Sequence, residues 1–210
     1  MPATPEGTET QLTASQEAVL RRALLWVIAL NLGYCVVEVT VATLIGSVSL
    51  FADSIDFLED ASLNLLVFMG LGWAARSRAR LGMGLSLVLL VPAIATLWTA
   101  WTKLALPVPP SPIPLSLAGL GAFATNLYCA VILLGHRHGG GSLTRAAFLS
   151  ARNDVLANIA IVIAGLLTAY AMSIWPDLVV GLAIAAMNVG SAREVWLMAR
   201  GEAAAARPRA

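Results

Sequence analysis

Residues 47–73 read SVSLFADSIDFLEDASLNLLVFMGLGW, an apolar stretch that carries Asp53, Asp56, Glu59 and Asp60 in the run ADSIDFLED. Its length suits a membrane span, yet a carboxylate at the centre of a membrane helix costs about 2.5–3.5 kcal/mol on insertion scales. Acids kept at such a cost mark an ion or proton pathway. The reading holds only if the rest of the chain also belongs in a bilayer.

Composition says that it does. Of 210 residues, 59% are hydrophobic and 12% charged, and the mean hydropathy is +0.81, far from the balance of a soluble globular domain. A net charge of +1, with no basic patch interleaved with aromatics, excludes a nucleic-acid partner. Cys35 and Cys129 lie far apart inside apolar runs, so they form neither a disulfide framework nor a CxxC metal site and read as packing residues.

Six apolar segments are each long enough to cross a hydrocarbon core of roughly 30 Å. They run from Ala23 to Ile45, Ser47 to Trp73, Arg80 to Lys103, Ile113 to Gly135, Leu143 to Met172 and Trp175 to Leu197. The expected fold is therefore all-α, a polytopic membrane protein with six transmembrane helices and both termini on one side. Basic residues choose the side. Of 13 Lys and Arg, all but Lys103 and Arg152 fall on one side: before the first span, after the last, in the connections that follow spans two and four, or at the span ends beside them. Both termini are thus expected in the cytoplasm. Trp98, Trp101 and Trp175 fall at outer ends and Trp26, Trp73 and Trp196 at inner ends, as interfacial anchors do.

The organisation that follows is a disordered cytoplasmic tail over residues 1–16, a transport domain over 17–199 and a short cytoplasmic tail over 200–210. Residues 1–16 are polar and lack the basic start and cleavage site of a signal peptide. A compact chain of this kind points to a bacterial inner membrane.

Helical geometry sorts the polar residues. At 100° per residue Asp53, Asp56, Asp60 and Asn64 fall within a stripe about 80° wide, and Glu59 lies beside it. In the fifth span, FLSARNDVLAN places Ser150, Asp154 and Asn158 on one face, turns Asn153 away by one step and sets Arg152 roughly opposite Asp154. Asp60 and Asp154 come to similar depth, so the two stripes can face each other. Three unpaired carboxylates within a few Å cannot all be ionised in low dielectric, so they hold protons or share a cation. Because ligands must be deprotonated to bind metal, exchange of a proton for a metal ion follows from the same electrostatics.

An apolar second helix with S-x-S-L-x-A-D-S followed by D-x-x-x-D, together with a fifth helix bearing D-x-x-x-N, resembles the cation diffusion facilitators. Asn31 and Glu38 in the first span fit that resemblance, which covers roughly Ala23 to Ala199. It implies a proton-coupled exporter of divalent transition metals such as Zn, Mn, Co, Fe or Cd, with no bound cofactor and no enzymatic activity, working as a homodimer. It also implies a tetrahedral site of Asp56, Asp60, Asp154 and the residue one turn before Asp154. That residue is Ser150, where the family's zinc transporters carry histidine. A hydroxyl with three carboxylates makes an oxygen-only site, which suits Mn²⁺, Fe²⁺, Co²⁺ or Mg²⁺ better than an imidazole-containing one. Asn158 or a water can complete the coordination, and Arg152 with Asn153 can neutralise Glu59 or orient the acids. The cytoplasmic domain that follows the sixth helix in many relatives is expected to be missing here.

Other readings of the same residues stay open. The spacing D-x-x-D-x-x-x-D is also similar to the aspartate-rich motif with which intramembrane prenyltransferases hold Mg²⁺ and a diphosphate, although that chemistry needs a second acidic motif and more basic residues. A membrane adaptor whose acids only pair helices would bind no metal. Asp53 reads either as a gate group on the ion's route or as a helix-start acid favoured by the dipole. Glu38 and Asn31 read as glue between helices, Asp177 and Glu194 as exposed helix-end acids, and Gly82, Gly84, Gly119 and Gly121 as sites of close helix packing. His136 and His138 form a lone H-x-H in a basic inner loop, a weak metal signal.

Overall fold

The computed structural model describes residues 14–70, 80, 83–84, 94–135 and 141–205. Among these there are six helices, α1 (Ala14–Ile45), α2 (Val48–Gly70), α3 (residues 94–105), α4 (Pro112–Leu134), α5 (Gly141–Ala171) and α6 (Trp175–Ala205). Each expected span falls on one of them, the third only over its described part, residues 94–103. α1 begins inside the expected tail of residues 1–16, because Glu17 and Arg21 pair one turn apart at 2.8 Å and carry the helix past its apolar segment. α6 continues through the alanine-rich GEAAA into the expected tail of residues 200–210, where high helix propensity extends it.

By length and apolarity α1, α4 and the Asp154–Ala171 part of α5 qualify as membrane spans, and Trp175–Gly190 is a shorter apolar helix. The acids of α2 dilute its hydropathy. The burial pattern still fits a lipid-facing bundle, with Val36, Leu44, Trp98, Trp101, Leu117 and Tyr170 among the large apolar side chains presented outward.

Local sequence dictates the connections. α1 ends at Gly46, whose φ of 63° is a left-handed conformation that favours glycine, and the Ser47 N–H returns to the Ala42 carbonyl at 3.0 Å. The single residue Ser47 then starts α2. Pro112 occupies the first turn of α4 after Ser111, where a missing N–H costs nothing. The end of α3, the turn at Gly46 and the start of α6 meet through Lys103 and Asp177, so these connections gather at one end of the bundle. The N-terminus of α1 and the C-terminus of α6 lie at the other.

Two apolar clusters close the bundle above and below a polar layer. Toward the terminal end, Leu20, Leu24 and Val27 of α1 pack with Val67 of α2 and Cys129 and Leu133 of α4. Toward the turn end, Ala42, Leu50 and Ala52 pack with Leu115 and Ala118 of α4, Ile161 of α5 and Ile184 of α6. Of the glycines expected at helix contacts, Gly119 is one: a Cβ there would meet Ile161 Cγ2 at 2.9 Å. Gly121 lies against Tyr34, Gly84 has no described neighbour within 4 Å, and Gly82 lies outside the described residues.

Candidate metal centre

The start of α2 is fixed before any acid is placed. The Ser47 hydroxyl accepts the N–H of Leu50 at 3.2 Å, as an N-cap does. The N–H groups of Val48 and Ser49 donate to the carboxylate of Asp177, at 2.9 and 3.1 Å. The hydroxyls of Ser47 and Ser49 donate to the same carboxylate at 2.6 and 2.7 Å. Lys103 places its ammonium 3.7 Å from Asp177 and donates to the Gly46 carbonyl. Asp177 was expected at an exposed helix end, but it is wholly buried. The reason is that a helix N-terminus, two hydroxyls and a cation converge on it, compensating the charge that solvent would otherwise screen. α6 grips α2 at two further points: Gly181, one turn after Asp177, lies against the Val48–Ser49 backbone, and Asn188 donates to the Ala52 carbonyl at 3.0 Å.

From this anchor the acids descend along α2. At 1.5 Å per residue Asp53, Asp56 and Asp60 lie about 8, 12 and 18 Å from the helix start. Asp53, Glu59 and Asp60 are buried and Asp56 is half-buried. Asp154 of α5 is also buried, at 8% exposure. The carboxylates of Asp56 and Asp154 lie within electrostatic reach of each other, and Asp60 comes within side-chain hydrogen-bonding reach of Asp154. Asp53 and Glu59 also act electrostatically on Asp154. α2 and α5 thus place Asp56, Asp60 and Asp154 within electrostatic reach of one another.

Asn64 and Asn158 behave alike. Each sits one turn after an acid on its own helix and donates to that acid's main-chain carbonyl, Asn64 to Asp60 at 2.8 Å and Asn158 to Asp154 at 2.6 Å. Each leaves a buried amide oxygen without a donor, a hard neutral acceptor beside the carboxylates. Ser150, Arg152 and Asn153 belong to the backbone of α5, but their side chains lie outside the described residues, as do His136 and His138. Among the described residues no three Asp, Glu, His or Cys side chains converge closely enough to hold one ion by themselves. The arrangement therefore offers oxygen ligands in pairs across a helix interface. Drawing them onto one ion requires α2 and α5 to close up or further oxygens to join.

Sequence reasoning missed the partnership of Lys103 and Asp177, though Lys103 gave a signal as one of two basic residues off the majority side. Glu38, read from the sequence as glue between helices, does face another helix, through Asp53 of α2. Glu38 is fully buried and neither of its carboxylate oxygens has a hydrogen-bond partner.

A helical bundle that keeps this many carboxylates inside an apolar shell defines a membrane protein that handles cations. A family model described as the cation efflux transmembrane domain matches residues 24–197, and the chain belongs to the cation efflux family of membrane cation transporters of the cation diffusion facilitator kind. No curated protein matches the chain. Members of this family are transporters and not enzymes, which removes the diphosphate chemistry weighed for the aspartate-rich motif.

Proposed function

We propose that the protein exports divalent transition-metal ions in exchange for protons, through a site made of Asp56 and Asp60 on α2 and Asp154 on α5, with Ser150 as a fourth ligand. The supporting observation is that these three acids, from two helices, interact with one another inside the apolar bundle of a cation efflux chain. With no imidazole among the four ligands the site is made of hard oxygens, so Mn²⁺, Fe²⁺ and Co²⁺ compete well with Zn²⁺ and Cd²⁺. Carboxylates brought this close hold protons when the metal is absent, and the metal releases them on binding. Asn64 and Asn158 lend neutral acceptors, and Arg152 and Asn153 orient the acids. The N- and C-termini face the cytoplasm of a bacterial cell whose inner membrane houses the protein as a homodimer.

Proteoliposomes test this directly. Mn²⁺, Co²⁺, Zn²⁺ or Cd²⁺ should move against an imposed proton gradient, and Asp60→Ala or Asp154→Ala should abolish the movement. Intact transport in both variants would overturn the site, and transport indifferent to the gradient would overturn the coupling.

A further inference from the structure

Glu38 of α1 and Asp53 of α2 are fully buried, and among the described residues none of their four carboxylate oxygens receives a hydrogen bond from an N–H or O–H group. The two carboxylates lie within hydrogen-bonding reach of each other. Two facing carboxylates without a donor are satisfied either by a proton held on one of them or by a cation between them. The described surroundings supply neither a donor nor a cation. The Tyr34 hydroxyl, one turn before Glu38, commits its proton to the Ala118 carbonyl at 2.6 Å. The ion pairs among the described residues, Arg21 with Glu17 and Lys103 with Asp177, lie elsewhere.

Position adds a second argument. Glu38 is about 10 Å along α1 from its end at Ile45, and Asp53 about 8 Å along α2 from its start at Val48. The pair therefore sits between the turn end of the bundle and the acids of α2 and α5.

We propose that Glu38 and Asp53 form a second cation site, a stopping point where a hard divalent ion is bridged by two carboxylates between the central acids and the turn end of the bundle. Two carboxylates leave most of the coordination shell to water, which suits a site that must release its ion again. The carboxylate and water ligands favour Mn²⁺ over softer ions. Its role in transit rests on the transport reading above, while its existence as a binding site does not.

Counting bound Mn²⁺ by electron paramagnetic resonance on the full chain in nanodiscs separates the two. The wild type should bind two ions per chain. These should be about 10 Å apart, from the seven-residue rise between Asp53 and Asp60, and so show dipolar Mn–Mn coupling. The isosteric double variant Glu38→Gln/Asp53→Asn should bind one ion and lose the coupling. Asp60→Asn/Asp154→Asn should also retain one ion, now on Glu38 and Asp53. Two ions retained in Glu38→Gln/Asp53→Asn, or a single uncoupled ion in the wild type, would overturn the proposal, leaving the pair to hold a proton only. If only the Asp60/Asp154 variant keeps both ions, the transport-site reading fails and the second site stands. Should the Glu38/Asp53 variant not fold, the wild-type count and coupling decide alone.

Discussion

Replacing Asp177 with Ala removes one carboxylate and strands four donors and a cation. The N–H groups of Val48 and Ser49 lose their acceptor, the hydroxyls of Ser47 and Ser49 lose theirs, and the Lys103 ammonium, itself 6% exposed, loses its counter-charge. Hydrogen bonds to a charged group contribute about 1.5–3 kcal/mol each, but these share one acceptor and do not add. Breaking a buried ion pair from one side costs about 3–5 kcal/mol, which sets the expected loss. At about 2–4 °C per kcal/mol for a chain of this size, the melting temperature of the detergent-solubilised protein should fall by about 6–20 °C. Lys103→Met should cost less, because Asp177 keeps four donors. The double variant should be less destabilised than the sum of the singles, since no buried charge is then left alone. Differential scanning fluorimetry on the four proteins reads the cycle. An Asp177→Ala protein melting within about 2 °C of the wild type, or strictly additive singles, would refute the view that this cluster holds α2 to α6.

Four further outcomes are expected. Gly181→Ala sets a Cβ 2.7 Å from the Ser49 nitrogen and the Val48 carbonyl carbon, backbone atoms that cannot swing away, and should destabilise by about 1–3 kcal/mol in thermal melts. Gly190→Ala, with nothing within 4 Å, should melt at or above the wild-type temperature, because alanine is a better helix former by about 0.5–1 kcal/mol. Ser150→His should raise preference for Zn²⁺ in competition transport, and its uptake should fall as pH drops through about 6.5, where imidazole becomes a cation that repels the metal; an unchanged selectivity order would remove Ser150 from the ligand set. Tyr34→Phe should cost about 0.5–1.5 kcal/mol through loss of the bond to Ala118, read in the same melts.

The helices and the stripe on α2 were legible because period and hydropathy act along the chain. Spacings of three and four put Asp56, Asp60 and Asn64 on one face regardless of what that face meets. The pairing of α2 with α5 was also within reach, since two acidic stripes at one depth have few other places to go. Partnerships that depend on the rotation of one helix against another were not. Lys103 and Asp177 are separated by two helices, and nothing local in either segment says that Ser47, Gly46 and Trp175 come to one corner. Glu38 illustrates the same limit. Its face on α1 is readable, but that this face meets Asp53 depends on how tightly the turn at Gly46 folds α1 back on α2.

That turn has a mechanical consequence. Gly46 and Ser47 leave no slack between α1 and α2, and Asp177 and Asn188 tie α2 to α6, so these helices travel as one lever. α4 and α5 pack extensively on each other, while α2 meets α5 along a narrower seam. Asp56 and Asp60 ride on the lever and Asp154 on the opposing block. Under the proposed function, a cation shared across the seam works as a removable rivet that pins α2 to α5 on arrival and frees them on departure.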